Sequence, residues 1–235
     1  MPEEIIIGLE PNTPRLQMHY LLVLDKSGSM EGNKKLTIDG FNEMVQTIQI
    51  ESNKNNQDAF VTLVLFSSSN SIEVVHSKVP ADQLQPLNEQ TYTTSGMTAL
   101  RDAIGVGITE VEKAYQKDEQ VFITVFTDGE ENNSREYSGK AIAELIKAKN
   151  ELGWTIAYIG CDIDIDTLAK EYNIDKSNFL SYASGDEKAF RASYTTMSSG
   201  YGKMSAARGA GDLRNTGFFV PDTDKKKDDD ADSNT

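Results

Sequence analysis

Residues 20–30 read YLLVLDKSGSM: five apolar or aromatic residues run into Asp25, and Ser27 and Ser29 follow on alternate positions. A run that is apolar nearly throughout is typical of a strand buried on both faces of a parallel sheet. Hydroxyls directly after such a strand can serve as a nucleophile, a phosphate cradle, a helix cap or a set of metal ligands. Each use demands different partners elsewhere in the chain, so the neighbouring segments decide between them.

Several further apolar runs predict the rest of a sheet. With the first strand placed at 18–24, three similar runs lie at 59–66 (AFVTLVLF), 121–127 (VFITVFT) and 154–160 (WTIAYIG). A fifth run, 71–78, follows the second after only the short connection SSSN. That gap is too short for a crossover helix, so it predicts an antiparallel hairpin at a sheet edge. A sixth, weaker strand is predicted at 178–183.

The segments between the strands have helical periodicity. The apolar residues that share one helix face are Ile38, Phe41, Val45 and Ile48 in a first helix, Leu100, Ala103, Ile104, Gly107 and Val111 in a second, and Ile142, Leu145 and Ile146 in a third. Two more helices are expected, one after Asp166 and one over 186–200. Alternating strands and helices predict an α/β fold, a doubly wound and mostly parallel sheet of about six strands with one antiparallel edge strand and helices on both faces.

Composition and charge argue against several classes of function. The 235 residues are 38% hydrophobic and carry a formal net charge of −14. Nucleic-acid backbones are bound by clustered Lys and Arg, and the part predicted to fold has no such cluster. No apolar run approaches the roughly 20 residues that span a bilayer. A single cysteine, Cys161, and an N-terminal sequence unlike a signal peptide predict a cytoplasmic protein.

The two ends of the sequence differ from its middle. A single domain is predicted over 16–205, after an N-terminal arm at 1–15. From 206 the sequence is Gly-rich and then highly charged, which predicts a flexible tail over 206–235. Phe218 and Phe219 lie beside the acidic run of this tail and offer the alternative of a short docking segment.

Two other polar segments are expected near the residues that follow the first strand. Thr98, in TTSGMTALRDAI, lies in the turn that opens the second helix, and Asp128, in VFITVFTDGEEN, follows another buried strand. Ligands of open α/β sheets bind outside the carboxyl ends of the strands, where the strand order reverses. The residues expected at this rim are Asp25, Ser27, Ser29, Thr98 and Asp128.

With these residues at these positions, the chain resembles the von Willebrand factor type A (vWA) domain, and the five residues resemble its metal-ion-dependent adhesion site (MIDAS). The resemblance extends over the order of strands and helices from 16 to 200, with Met97 where a small residue is more frequent. It implies a Rossmann-like topology, a single divalent cation at the top of the sheet, and a partner protein whose Asp or Glu completes the metal shell. It further implies an intracellular bacterial or phage protein in a multiprotein assembly, of the kind that contains an AAA+ ATPase.

The chemistry of the five side chains suits Mg²⁺, with Mn²⁺ or Ca²⁺ as alternatives. Mg²⁺ prefers six oxygens and usually keeps some waters. Neutral hydroxyls of Ser27, Ser29 and Thr98 can be direct ligands without cancelling the charge of the ion, while Asp25 and Asp128 hold waters or hydroxyls from behind. Such an ion attracts a carboxylate from outside. The expected function is therefore adhesion to another protein, without catalysis.

A Mg²⁺-dependent phosphoryl-transfer hydrolase of similar fold is the main alternative. Phosphatases of the haloacid dehalogenase type carry D-x-D after the first strand, and here Ser27 replaces the second acidic residue, which would be the general acid. A serine hydrolase is less favoured, because G-x-S-x-G is absent around Ser27 and neither His19 nor His76 is placed as a base. A structural protein that keeps the site without using it is a third alternative.

Three aspartates on alternate positions, Asp162, Asp164 and Asp166, resemble part of a calcium loop. An EF-hand needs Gly at its sixth position and Glu at its twelfth, where this chain has Thr167 and Asn173. We therefore expect these aspartates to face solvent and to cap the helix that begins near Thr167.

Three other residues near the strand ends have ordinary interpretations. Glu130 and Glu131 directly follow Asp128 and are expected to be solvated loop charges, with a place on the metal rim as the alternative. Cys161 is expected to be a small, buried or half-buried residue.

Overall fold

The computed structural model, which describes residues 14–212 and 217–219, has a six-stranded sheet at its centre. Its strands are β1 (Leu16–Asp25), β2 (Gln57–Phe66), β3 (Ile72–Pro80), β4 (Gln120–Thr127), β5 (Thr155–Cys161) and β6 (Phe179–Tyr182). Their order across the sheet is β3-β2-β1-β4-β5-β6. Every neighbouring pair is parallel except β2 and β3, which are antiparallel. The predicted sheet and its antiparallel edge strand are therefore confirmed.

Helices cover both faces of this sheet. They are α1 (Lys34–Lys54), α2 (Leu100–Ala114), α3 (Gly139–Glu151), α4 (Ile165–Tyr172) and α5 (Glu187–Gly209). Alternate residues of β1 pack on opposite sides: Leu22 lies in the core under α1 and α5, and Leu21 in the core under α2 and α3. This two-sided burial explains why β1 is apolar nearly throughout. Within residues 14–212, none of the helices combines the length and the apolar character needed to cross a membrane.

The strand order determines where a site can form. From β1 the chain moves outward to β2 and β3, and then returns to place β4 on the other side of β1. The order therefore reverses between β1 and β4, and the carboxyl ends of these two strands, at Asp25 and Thr127, border the crevice where ligands of such sheets bind.

The aspartates after β5 have structural roles. Asp164 caps α4, because its carboxylate accepts hydrogen bonds from the backbone N and the hydroxyl of Thr167. Asp162 accepts a hydrogen bond from the backbone N of Ser184, and Asp166 forms an ion pair with Lys176. The predicted capping is confirmed, although α4 begins two residues earlier than expected, at Ile165.

The last helix is longer than its sequence suggested. α5 continues to Gly209, so the predicted end of the domain at 205 and the predicted start of the tail at 206 are too early. The reason is tertiary packing: Tyr201 and Met204 are buried in the core, and the ring of Tyr201 packs edge-on against Tyr20 at 5.3 Å. The small residues that made this stretch look mobile allow α5 to lie close to its neighbours.

A short segment beyond α5 also packs on the domain. Phe218 is 2% exposed, and its ring lies edge-on to Tyr201 at 5.3 Å. A Cβ on Gly200 would lie 2.4 Å from the Phe218 ring, so only glycine permits this approach. Residues 217–219, which lie inside the predicted tail, therefore include a core residue of the domain. The N-terminal arm up to residue 13 and residues 213–216 and 220–235 lie outside the described residues, and the predictions for them stay predictions.

Candidate metal centre

Asp25 joins the loop that follows β1 to the end of β4. Its side chain is fully buried. One carboxylate oxygen accepts a 2.7 Å hydrogen bond from the backbone N of Ser27, and the other accepts a 2.5 Å bond from the hydroxyl of Thr127. Both oxygens are thus engaged within the protein, and Asp25 determines the relative position of the two strand ends that border the crevice.

A chain of hydroxyl contacts runs from Ser27 to Asp128. The Oγ atoms of Ser27 and Ser29 are 3.0 Å apart, and Ser29 Oγ donates a 2.6 Å hydrogen bond to Asp128 Oδ1. A hydroxyl has only one proton, so Ser27 must be the donor to Ser29. Ser27 is buried, whereas Ser29 is exposed and Asp128 is half-buried. This series of hydrogen bonds therefore leads from the interior of the domain to its surface.

Thr98 approaches the same place from the turn before α2. Its backbone N donates to Asn132 Oδ1 at 2.9 Å, which ties this turn to the loop after β4. A Cβ on Gly129 would lie 2.8 Å from Thr98 Oγ1 and 3.6 Å from Ser29 Oγ. The hydroxyls of Thr98 and Ser29 therefore border one small space, which remains open because residue 129 has no side chain.

The structure thus brings all five sequence-predicted residues together at the carboxyl ends of β1 and β4. This convergence follows from the strand order and from the hydrogen bonds between the three loops. The use of these residues as metal ligands stays a prediction.

The residues present fit a hard divalent cation. All five donors are oxygens, as Mg²⁺ prefers, and the space beside Gly129 is bordered by two of the hydroxyls. Within residues 14–212 and 217–219, no group of three or more His, Cys, Asp or Glu side chains is arranged to hold a metal. Cation binding at this site would therefore depend on the hydroxyls and on two carboxylates.

The electrostatic environment of the two carboxylates also suits a cation. Burial raises the pKa of Asp25 to about 6, although hydrogen bonds from Thr127 and Ser27 oppose the shift; the nearby charge of Asp128 raises it further. Burial likewise raises the pKa of Asp128, against the hydrogen bond from Ser29. Both shifts mean that negative charge is disfavoured here without a compensating positive charge.

Glu131 organises the loop after β4, so the expectation that it is a solvated loop charge is wrong. One carboxylate oxygen accepts bonds from the backbone N of Asn133 and of Ser134, and the other from the backbone N of Arg101 and the hydroxyl of Ser134. Burial tends to raise the pKa of Glu131, but these hydrogen bonds lower it on balance. Glu130 is exposed, as expected.

Two more residues that position the site were not found from the sequence. Asp102, which is 1% exposed, accepts hydrogen bonds from the backbone N of Arg135, Glu136 and Tyr137 and so holds the far end of the same loop. Tyr92 is fully buried and donates its hydroxyl proton to the backbone oxygen of Asp25. The only sequence signal for Asp102 was its position as an acidic residue in the first turn of a predicted helix.

Comparison with known proteins shows which protein family the sequence matches. The family model of the von Willebrand factor type A domain matches residues 21–198. No protein among those with curated functions matches the chain.

Among solved structures, three similar folds are informative. The pilus adhesin SpaC from Lactobacillus rhamnosus GG has a TM-score of 0.62 at 14% identity, over 82% of this chain and 31% of the adhesin. The PilB minor pilin from Streptococcus sanguinis has a TM-score of 0.54 at 14% identity, over 84% of this chain and 63% of the pilin. The SpRpn10 VWA domain has a TM-score of 0.54 at 13% identity, over 77% of this chain and 95% of that domain. The chain thus spans less than a third of the adhesin, and these similarities show a shared fold.

Proposed function

The chain belongs to the von Willebrand factor type A domain family, and we propose that it is a protein-binding module in which an acidic residue of a partner completes the shell of a divalent cation. Domains of this family are often used for adhesion and protein–protein interaction. The observation that carries the proposal is the open space beside Gly129, which the hydroxyls of Thr98 and Ser29 border. Mg²⁺ is the proposed ion, with Mn²⁺ or Ca²⁺ as alternatives.

In this proposal the hydroxyls of Ser27, Ser29 and Thr98 hold the ion directly. Asp128 fixes the Ser29 hydroxyl through their hydrogen bond, and Asp25 fixes the loop through the backbone N of Ser27. When bound, the ion supplies a positive charge that a partner carboxylate can ligate. The serine and threonine ligands add no negative charge, so the attraction for an external carboxylate is preserved.

The charge of the protein limits how a partner is recognised. A formal net charge of −14 does not attract an acidic partner over long distances, so recognition would depend on the local cation and on the contacts around it. From the family resemblance we further propose that the module works in the cytoplasm, in a bacterial or phage multiprotein assembly, with an assembly that contains an AAA+ ATPase as the candidate.

We propose that the protein is not an enzyme. The alternative, a Mg²⁺-dependent phosphoryl-transfer hydrolase, would need a second acidic residue two positions after Asp25. Ser27 stands there, and its hydroxyl is bonded to Ser29.

Calorimetric titration of the full chain with Mg²⁺ and Mn²⁺ tests the proposal. We expect wild type to bind both ions and Thr98→Ala to bind them at least tenfold more weakly, an effect of the size seen when residues around a metal site are removed. Thr47→Ala is the matched control, because the Thr47 hydroxyl lies on the exposed face of α1 and bonds only Glu43 of its own helix. A wild-type chain that binds neither ion at millimolar concentration would contradict the proposal.

A pull-down from an extract of the native host, with and without EDTA, tests the second half of the proposal. We expect a partner that is lost both with EDTA and with Asp128→Ala, while circular dichroism shows an unchanged fold. A partner that is retained under both conditions would bind another surface.

A further inference from the structure

A groove of about 380 Å³ opens beside the candidate metal centre. Its lining includes Ser29, Asp128, Cys161, Tyr182, Asp186 and Glu187. It therefore begins at the proposed metal ligands and extends past the carboxyl ends of β5 and β6 to the first residues of α5. A partner segment that reaches the metal centre from this side would lie in the groove.

The groove carries negative charge that no basic residue of its lining balances. Asp186 and Glu187 line it outside the proposed metal site, whose cation would balance Asp128, and the described lining contains no Lys, Arg or His. Asp186 uses one carboxylate oxygen to cap α5, accepting from the backbone N of Lys188 and of Ala189. The exposed Glu187 forms no ion pair within the described part of the chain. The N-terminus of a helix attracts anions, but here the carboxylate of Asp186 already caps it.

Tyr182, which also lines the groove, provides a second and independent observation. It is 6% exposed, and its hydroxyl has no hydrogen-bond partner among the described residues. The ring is fixed by Phe190, which packs edge-on at 5.2 Å, and by Phe126 at 6.0 Å. A buried hydroxyl without a partner costs about 1–3 kcal/mol, so such a group in a rigid setting calls for an explanation.

The charged groups around Tyr182 indicate what would satisfy it. Burial raises the pKa of Tyr182, and Asp128 and Cys161, both in the groove lining, raise it further. The phenol therefore stays protonated, and Asp128 is the groove carboxylate that acts on it. A cationic side chain in the groove can donate to a phenolic oxygen and to carboxylates of the same lining.

We propose that the groove receives a Lys or Arg side chain from the same partner segment whose carboxylate ligates the cation, an inference that rests on the proposed function. The partner segment then carries one acidic and one basic residue a few positions apart. These charges match a positive metal centre and a negative groove, and such complementarity selects among partners. The basic residue also reduces the repulsion between the partner and a protein of formal net charge −14.

Selection from a displayed library of random peptides tests this proposal. The full chain is immobilised in Mg²⁺ buffer, bound peptides are eluted with EDTA, and the eluted pool is sequenced. We expect Asp or Glu to be enriched severalfold, with Lys or Arg enriched at a fixed distance from it. The same selection is made on the double variant Asp186→Asn, Glu187→Gln, which keeps a good helix cap because Asn also caps well. The matched control is Glu89→Gln, Glu144→Gln, which removes two negative charges from exposed residues outside the groove.

The outcomes separate this inference from the proposed function. We call the double variant Asp186→Asn, Glu187→Gln the groove variant. The inference is supported if the enrichment of Lys or Arg disappears on the groove variant while the enrichment of Asp or Glu remains. Acidic enrichment without basic enrichment on wild type, or basic enrichment that persists on the groove variant, overturns it and leaves the proposed function standing. A pool without acidic enrichment overturns both.

A second measurement uses a synthetic peptide of the selected consensus sequence. We expect Tyr182→Phe to weaken its binding severalfold without lowering the thermal unfolding midpoint, because the hydroxyl has no partner in the free protein. A lower midpoint with unchanged peptide affinity would assign the hydroxyl a purely structural role and overturn its part in the groove.

Discussion

The hydroxyl of Ser29 donates a 2.6 Å hydrogen bond to Oδ1 of Asp128, which lies 99 positions later in the chain. This contact joins the loop after β1 to the end of β4 directly beside the space that Gly129 leaves open. Ser29 also accepts the proton of Ser27, so the three side chains form one continuous series. Their positions are therefore set before any ligand binds, and such preorganisation favours binding.

Because Ser29 and Asp128 are in contact, their effects on metal affinity should not add. We expect Ser29→Ala and Asp128→Asn each to weaken Mn²⁺ binding by on the order of tenfold or more, as losses around metal sites do. The double variant should be only slightly weaker than either single variant, since each change already breaks the pair. A calorimetric double-mutant cycle measures this, and strictly additive losses would show that the two residues act independently.

The absence of a side chain at residue 129 should be essential for the metal site. A Cβ there would lie 2.8 Å from Thr98 Oγ1, closer than real Cβ contacts. We therefore expect Gly129→Ala to displace the Thr98 hydroxyl and to weaken Mn²⁺ binding by about tenfold or more. Gly32→Ala is the matched control, because a Cβ at Gly32 meets no atom within 4 Å. Equal metal affinity in the two variants would contradict the geometry proposed for the site.

The fold and the convergence of the five candidate residues could be predicted, because local patterns encode the strands and the loops that follow them. Strands buried on both faces read as continuous apolar runs, and the short connection after β2 leaves room only for a hairpin. The roles of Glu131 and Asp102 could not be predicted in this way. Their carboxylates bind backbone N–H groups that lie up to 35 positions away, and backbone amides leave no trace in the sequence. The length of α5 was missed for a related reason, since the packing of Tyr201 against Tyr20 depends on distant residues.

Met97 should contribute to partner affinity without contributing to metal affinity. Its side chain is 48% exposed beside Thr98, and its sulfur accepts a 3.3 Å hydrogen bond from Asn133. Burying the exposed half of a Met side chain is worth about 1 kcal/mol. We therefore expect Met97→Ala to weaken the Mg²⁺-dependent binding of a selected peptide by roughly fivefold. Mn²⁺ affinity measured by calorimetry should not change.

The control for Met97 is Leu152→Ala, which removes an exposed apolar side chain next to the end of α3 (57% exposed). It should leave peptide binding unchanged. If both variants bind the peptide as tightly as wild type does, Met97 lies outside the docking surface.

Phe218 should stabilise the domain, although it lies in a region that the sequence assigned to a tail. It is 2% exposed, and its backbone N donates to Asn178 Oδ1 at 2.8 Å. Removing a buried Phe side chain typically costs about 3–5 kcal/mol. Urea unfolding of Phe218→Ala should show a loss of this size. The half-buried neighbour provides the control, and Phe219→Ala should cost clearly less; equal losses would mean that Phe218 is not a core residue.

His19 should make the domain less stable in mild acid. Nε2 of His19 lies 2.8 Å from Thr62 Oγ1, which also accepts a hydrogen bond from the backbone N of Lys78. The other ring nitrogen, Nδ1, lies 3.5 Å from the carboxylate of Glu119. Lys78 already pairs with that carboxylate at 3.0 Å. Burial, followed by the charge of Lys78, lowers the pKa of His19 from 6.5 to about 4.

The sign of the pH effect follows from these two pKa values. Between pH 6.5 and 4 the unfolded chain binds a proton at His19 that the folded chain does not, so the free energy of unfolding falls as the pH falls. From pH 7 to pH 5 this single group should account for about 2 kcal/mol. Urea unfolding at both pH values measures the loss in wild type and in His19→Gln, with His76→Gln as the comparison because burial lowers the pKa of the half-exposed His76 as well. The loss between pH 7 and pH 5 should be smaller in His19→Gln by about 2 kcal/mol, and a loss equal to that of wild type would show that another group is responsible.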